Sequence, residues 1–282
     1  MKVLKVVLSV LLTTLLFSQT VFAYNPTEGN YQRCLNTIYF VQDPNNLTQA
    51  DLNMIECVDY CTPYEIMELF KQEGVRIYIT KGVSIADRTY EHGNYNAITY
   101  AAYLTWNTSS KKITKKSSPV SVYIYDNTTD VTIFYHEFGH VLDDLAEYIT
   151  GYYKGEHPIS NSTEWQNIYA QNAATMARFD STASANVTLD ASEGFAEAFR
   201  LYYVHPNELQ AYCPSVYTYV DSQISKYLKY LKPLTYSNFD AFDYYMHYPD
   251  VAQAVGTDRK ALWNHYVNSG KAEGRIAKRE AK

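Results

Sequence analysis

The segment that most constrains this chain is His136-Glu137-Phe138-Gly139-His140, which has the pattern H-E-x-x-H. On an α-helix, side chains four positions apart lie on the same face, so the two imidazoles would point to one place. Zinc bound there would keep a water molecule within reach of the glutamate. Apolar residues recur at helical spacing from Val131 to Leu145, which predicts the required helix. We therefore predict that His136 and His140 bind zinc and that Glu137 is a general base.

The first 23 residues have the pattern of an export signal. Basic residues precede an apolar run from Val6 to Phe17, and the small residues Val21 and Ala23 occupy positions that a signal peptidase prefers. A membrane anchor is the weaker interpretation, because this run is too short to span a bilayer comfortably. We predict a signal peptide over residues 1–23 and a secreted mature chain with no transmembrane segment.

Net charge and cysteine content limit the functions and the bonding that this chain can have. The net charge of −6 argues against a nucleic-acid-binding protein, which should be basic. The basic run Lys111–Lys116 is most simply the solvated tip of a hairpin. In an exported chain, four cysteines allow three disulfide pairings: Cys34, Cys57, Cys61 and Cys213.

Apolar periodicity predicts an α+β chain in which a small mixed sheet leads into helices. A lysine-rich turn is expected to join the second and third strands into a hairpin, and residues 180–188 are expected to be irregular. The predicted strands are 75–80, 97–106 and 120–125, and the predicted helices, besides the motif helix, are 47–60, 63–73, 164–179, 190–204 and 223–231.

A catalytic zinc ion needs a third protein ligand, and Glu193 is the strongest candidate. Glu193 and Glu197 share one face of a predicted helix, so the first could bind the metal and the second could hold a zinc-bound histidine. An alternative is that Glu193 only forms a capping box with Asp190. His157, in a loop, and His205, at a helix end, compete as ligands but rank lower, since a histidine at a helix C-terminus commonly serves the helix dipole.

Two segments of the chain resemble a known family. The segments His136–Asp144, HEFGHVLDD, and Glu193–Arg200, EGFAEAFR, are similar to the catalytic domain of anthrax lethal factor and to the related secreted Pro-Pro endopeptidases. The resemblance covers residues from about 30 to 232. It implies a zincin-like domain, with an active-site helix followed by a helical subdomain, that hydrolyses peptide bonds in extracellular or surface proteins.

The resemblance also assigns roles to individual residues. It implies one catalytic Zn²⁺ held by His136, His140 and Glu193. It places the general base on Glu137 and the carboxylate that supports a zinc-bound histidine on Glu197. The implied partner is a polypeptide substrate, and the sequence does not identify its cleavage site.

One residue departs from the family pattern. Asn186 stands seven positions before Glu193, where the family has a tyrosine whose hydroxyl helps to stabilise the oxyanion. An amide can donate a hydrogen bond, but it lacks the reach and acidity of a phenol. A catalytically weak or inactive peptidase-like surface-binding protein, an adhesin, is therefore an alternative. The intact H-E-x-x-H motif and the paired glutamates argue against it.

The character of the sequence changes near Leu234. We predict a peptidase domain over residues 24–234 and a small helical C-terminal module over residues 235–282. The module resembles a short helical repeat unit appended to secreted and surface bacterial proteins, which implies surface association and no chemistry. It is too small to be stable alone and is expected to pack on the larger domain. Its charged tail, 278–282, is expected to be disordered.

Overall fold

The computed structural model describes residues 39–41, 62–80, 97–117, 119–125 and 132–280. The predicted signal peptide and the predicted helix 47–60 lie outside these residues. Three of the four cysteines lie outside them as well, and the fourth, Cys213, is a buried free thiol. Among the helices that the structure describes, none has the length and apolar character needed to cross a membrane.

A mixed sheet forms one side of the larger core. Its strand order is β1-β2-β6-β3, with β1, β2 and β6 parallel and β3 antiparallel to β6. Strands β4 and β5 form a separate antiparallel hairpin. The strands are β1 Tyr39–Val41, β2 Arg76–Thr80, β3 Ala97–Tyr100, β4 Leu104–Trp106, β5 Ile113–Lys116 and β6 Ser121–Tyr125.

The prediction of one continuous strand over residues 97–106 is wrong. The chain leaves the sheet at residues 101–103, and the two halves pair with different partners, β6 and β5. The hairpin tip lies in residues 107–112, where the Asn107 side chain accepts hydrogen bonds from the backbone N–H groups of Ser109 and Ser110. The tight turn is made by Asn107 and its neighbours. The later part of the lysine-rich run, Ile113–Lys116, is therefore strand β5 and not the hairpin tip.

Ten α-helices follow the chain in the described part. They are α1 Tyr64–Glu73, α2 Ile133–Thr150, α3 Thr163–Met176, α4 Ser181–Asn186, α5 Ala191–Val204, α6 Pro206–Tyr212, α7 Pro214–Leu228, α8 Ala241–His247, α9 Pro249–Val255 and α10 Arg259–His265. A 3₁₀ turn spans Tyr236–Asn238 and a π-helical turn spans Tyr266–Gly270. Gly74 ends α1 in the left-handed conformation, at φ 78°, as the sequence predicts.

Two helical predictions need correction. Residues 180–188 are not irregular, because the Asp180 side chain accepts a hydrogen bond from the Ala183 N–H and starts α4. Helix α7 begins at Pro214 rather than near residue 223. Its first half is held by Val216 and Val220, which are fully buried in the larger core.

The larger core lies between the sheet and the helices, which confirms the α+β class. Helix α2 runs through it and is packed on one side by the sheet and on the other by α5. Its apolar face is buried against the sheet residues, and fully buried members of this core include Ile77, Val122, Ile124, Phe134, Phe138, Val141, Leu142, Phe195 and Phe199.

The C-terminal segment has its own small core, made by Phe239, Tyr244, Val251, Leu262 and Ala277. The side chains that pack on the two cores divide between Leu231 and Leu234. The assignment of separate domains at this point stays a prediction.

The C-terminal segment packs on the larger core through its tail. The backbone of residues 278–280 pairs with residues near the 3₁₀ turn, and Arg279 is buried against Glu68 of α1. The prediction that residues 278–282 are disordered is therefore wrong for 278–280, because Arg279 gains a buried partner that the sequence pattern does not reveal.

Candidate metal centre

Helix α2 carries the two histidines of the motif on one face. The His136 and His140 rings lie with their centroids 5.0 Å apart, on the side of the helix that faces α5. The His136 ring is almost fully buried, and the His140 ring is slightly more open. The spacing of four residues thus brings both imidazoles to one point, as predicted.

A close helix crossing brings α5 to these histidines. A Cβ atom on Gly139 would lie 2.6 Å from the Cα atom of Ala196, so the two backbones could not approach as they do with any larger residue at position 139. Two residues earlier on α5, the Tyr169 ring packs against Gly194, where an added Cβ would lie 2.5 Å from the ring. These two glycines allow the start of α5, which carries Glu193, to lie against the histidines.

The Glu193 carboxylate faces both imidazoles. Its two oxygens lie 3.1 Å from His136 Nε2 and 3.4 Å from His140 Nε2. One potential ligand atom from each of the three residues lies within 4.8 Å of the others. Two imidazole nitrogens and a carboxylate oxygen form a donor set that suits zinc, which takes three protein ligands at catalytic sites.

The chemistry of the contacts also calls for a positive charge between these groups. If His136 carries its proton on Nδ1, its Nε2 lone pair faces the lone pairs of Glu193, and this contact is repulsive unless a proton or a cation lies between them. Burial opposes protonation, but hydrogen bonds to Glu193 and Glu197 raise the pKa of His136 to about 10. In the absence of a metal, a proton meets this requirement, and a divalent ion would replace it.

The sequence left two roles open for Glu193, and its side chain does not form the capping box with Asp190. Asp190 caps α5 by accepting hydrogen bonds from the N–H groups of Ser192 and Glu193. The Glu193 side chain turns instead towards the histidines. Burial raises the pKa of Glu193, but the hydrogen bonds of His136 and His140 outweigh burial and hold that pKa well below its usual range. The carboxylate is therefore ionised and able to bind a cation.

The candidate base Glu137 has a partner that the sequence did not suggest. The Thr99 hydroxyl, on strand β3, donates a hydrogen bond to Glu137 Oε2 at 2.6 Å. The same hydroxyl lies 3.3 Å from the Glu137 carbonyl oxygen. Thr99 and Glu137 are 38 positions apart, so only the packing of α2 on β3 brings them together, and no local pattern could have indicated the pair.

Glu197 lies behind the metal site. Its Oε2 atom is 3.1 Å from His136 Nδ1, and the residue is fully buried. The Asn186 side chain donates to the same Glu197 oxygen at 3.3 Å. Asn186 thus contacts the support of the metal site and is not aimed at a substrate carbonyl. Asn186 therefore contacts Glu197, whereas the tyrosine that the family resemblance led us to expect at this position would stabilise the oxyanion.

The two competing histidines lie elsewhere. His157 Nδ1 lies 3.0 Å from Asp144 Oδ1, and this close contact with the Asp144 carboxylate raises the pKa of His157 to about 9. His205 Nε2 lies 3.4 Å from Asp180 Oδ2. Neither belongs to the group formed by His136, His140 and Glu193, which is the group found among the described residues that could hold a metal ion.

Comparison with known proteins identifies the family of the chain. A model of the family described as "Anthrax toxin lethal factor, N- and C-terminal domain" matches residues 27–223, well over half of the chain. That range contains the α2 motif and all of α5. None of the curated proteins compared matches the chain. The chain therefore belongs to the anthrax toxin lethal factor N- and C-terminal domain family.

Proposed function

We propose that this protein is a secreted zinc-dependent endopeptidase with a zincin-like active site. The observation that carries the proposal is the convergence of His136, His140 and Glu193, with Glu137 on the same helix as the two histidines. Membership of the lethal factor family supports the same conclusion, since a relation to a metallopeptidase predicts this arrangement.

His136, His140 and Glu193 would hold the metal in the proposed mechanism. Zinc, when bound, polarises the scissile carbonyl and lowers the pKa of a water ligand towards neutrality. Glu137 accepts the proton of the attacking water and later delivers it to the leaving amine. The Thr99 hydroxyl fixes one oxygen of Glu137, which leaves the other oxygen for this proton.

Strand β3 offers a place for the substrate backbone. In the described part of the sheet, β3 has β6 as its one neighbour, and it carries Thr99 next to the proposed base. An extended peptide that adds to this edge would run past Glu137 and present its carbonyl groups to the metal site. We therefore propose that the substrate is an extended polypeptide, found outside the cell or on a cell surface.

Export is supported by the signal-like pattern of residues 1–23, and surface association by the resemblance of the C-terminal module to repeat units of surface proteins. Both belong to the proposal, and both can be tested by locating the protein in fractionated cultures of the producing cells.

The decisive experiment compares Glu137→Gln with the unaltered protein. We expect the variant to keep one zinc ion per chain, because Glu137 is not among the three proposed ligands, and to lose cleavage of a peptide library by about 10²–10⁴-fold. Glu208→Gln, an exposed glutamate on α6, is the matched control and should cleave normally. A Glu137→Gln variant that cleaves as fast as the unaltered protein would overturn the assignment of the base.

The alternative of a binding protein on a peptidase scaffold is favoured by the position of Asn186, which contacts Glu197 instead of facing a substrate. The same experiment separates the two functions. An unaltered protein that binds zinc but shows no cleavage sensitive to a chelator, across the whole library, would support the alternative.

A further inference from the structure

Four donors hold the carboxylate of Glu197. Oε1 accepts hydrogen bonds from Arg200 Nε at 2.7 Å and Arg200 Nη2 at 2.5 Å, and Oε2 contacts His136 Nδ1 and Asn186 Nδ2. Glu197 and Arg200 are both almost completely buried, so solvent does not compete for these bonds. Because both oxygens are engaged from two sides, the carboxylate cannot rotate without breaking at least two of the four contacts.

Arg200 extends this arrangement to two other segments. Its Nη2 atom donates to both oxygens of Asp180, each at 2.7 Å, and its Nη1 atom donates to Thr132 Oγ1 at 3.3 Å. Thr132 immediately precedes α2, the helix of the two histidines. Arg200 therefore ties the start of α2, the start of α4 and the buried Glu197 to one guanidinium group.

Both ends of the short helix α4 join this network. Asp180 caps its first turn, and Asn186 is its last residue. Asp180 reaches Glu197 through Arg200, whereas Asn186 contacts Glu197 directly. Helix α4 is thus attached at both ends to the group that holds His136.

We propose that Asp180, Asn186 and Arg200 are positioning residues of the metal site, acting through Glu197 on His136. With Glu197 fixed as an acceptor, the proton of a neutral His136 stays on Nδ1, and Nε2 is directed to the metal. The inference rests on the proposed function for the identity of the metal as zinc. It goes further by assigning to the α4 segment a part in metal affinity.

The test measures zinc affinity by competition with a chelator of known affinity. Asp180→Ser is the informative variant, because serine can still cap α4 but is too short to reach Arg200. Asp258→Ser, at the start of α10, is the matched control, since Asp258 caps a helix in the same way without contact to this network. We expect Asp180→Ser to bind zinc about tenfold more weakly, at the lower end of the range for outer partners of metal ligands, and Asp258→Ser to bind as the unaltered protein.

Asn186→Ala provides a second, milder variant, because Asn186 is partly exposed and its removal leaves the cap of α4 intact. We expect a loss of a few fold in zinc affinity, since one of four donors to Glu197 is lost. If Asp180→Ser lowers the melting temperature of the metal-free protein, the zinc affinity of Asn186→Ala becomes the test of the inference.

The absorption spectrum of the cobalt-loaded protein gives a readout that simple destabilisation would not change. The visible bands of Co²⁺ should shift in Asp180→Ser and Asn186→Ala and remain unchanged in Asp258→Ser. Unchanged zinc affinity and unchanged cobalt spectra in both network variants would overturn the inference while leaving the proposed function intact. An unaltered protein that binds no zinc would overturn both.

Discussion

Two buried clusters of charged side chains differ in whether their positive and negative charges balance. Around the metal centre, the carboxylates of Glu137, Glu193 and Glu197 surround the imidazoles, and Arg200 is the cation bound to Glu197. At the contact between α1 and the C-terminal tail, Glu68 lies between two cations, 2.9 Å from Arg279 Nε and 3.7 Å from Lys71 Nζ. Lys71 also interacts with the buried carboxylate of Asp240, so the second cluster has two carboxylates and two cations. The first cluster has an excess of negative charge, and the second is balanced by its own side chains.

The difference teaches how a binding site can be recognised in a fold. A buried charge is costly unless it is paired, so a cluster that only stabilises structure should be neutral by itself. The cluster at Glu68 meets this condition, and it lies where two parts of the chain join. The cluster at Glu193 does not meet it. A proton on His136 supplies one of the two missing positive charges, whereas a divalent metal ion would supply both.

The largest effect should follow from Glu193→Ala. Removal of a proposed ligand should weaken zinc binding by more than the roughly 10–100-fold that is typical of outer partners, so that elemental analysis finds little metal. The free energy of unfolding of the metal-free protein should change little, because the variant loses the metal and not the fold. Retention of one zinc ion per chain would show that the third ligand lies elsewhere and that the negative charge at this cluster has another purpose.

Arg279→Met tests the balanced cluster and should do the opposite. Burial raises the pKa of Glu68 even with Lys71 and Arg279 beside it, so the loss of Arg279 leaves a carboxylate poorly accommodated. We expect the free energy of unfolding to fall by about 3 kcal/mol, with zinc affinity unchanged. Chemical denaturation would measure this change. Arg259→Met, which breaks the exposed pair with Glu280, should cost less than about 1 kcal/mol.

Thr99→Val sharpens the comparison within the metal centre. Valine keeps the shape of threonine but removes the hydroxyl that orients Glu137. We expect kcat to fall about tenfold, a part of what a general base contributes, while KM and zinc content stay nearly constant. Thr99→Ser retains the hydroxyl and should restore most of the rate. Equal losses in the two variants would mean that the methyl group, and not the hydrogen bond, matters.

The smallest effect concerns the loop after α2. The close contact with the Asp144 carboxylate raises the pKa of His157 from an ordinary value near 6.5 to about 9. A histidine with a raised pKa stabilises the folded state fully below about pH 6.5, and this contribution is lost as the pH rises through about 9. Thermal unfolding between pH 6 and pH 10 should therefore depend on pH less strongly in His157→Gln than in the unaltered protein. Parallel curves for the two proteins would contradict the assignment.

The sequence predicted those parts of the site that follow from local spacing. His136 and His140 meet because one helical turn separates them, and Glu193 was found through the pattern of the segment that contains it. The capping role of Asp190 was also visible, because it depends on residues no more than three positions away. Features set within one helix are thus accessible from the sequence.

Features set by tertiary contacts were not accessible. Thr99 meets Glu137 across the packing of a strand on a helix, and Arg279 meets Glu68 from 211 positions away. The break of the strand at residues 101–103 depends on which strands are available as partners, and a pattern of alternating residues does not contain that information. The same distance in sequence explains why the order in the tail was missed.

The distant pairing of Arg279 with Glu68 has a consequence for the time course of folding. During synthesis, α1 emerges together with Lys71 but long before Arg279, so Glu68 has one of these two cations beside it until the tail arrives. Closure of so long a loop is slow compared with helix formation. We therefore expect the tail to dock late, after a stage of folding in which α1 is only partly covered.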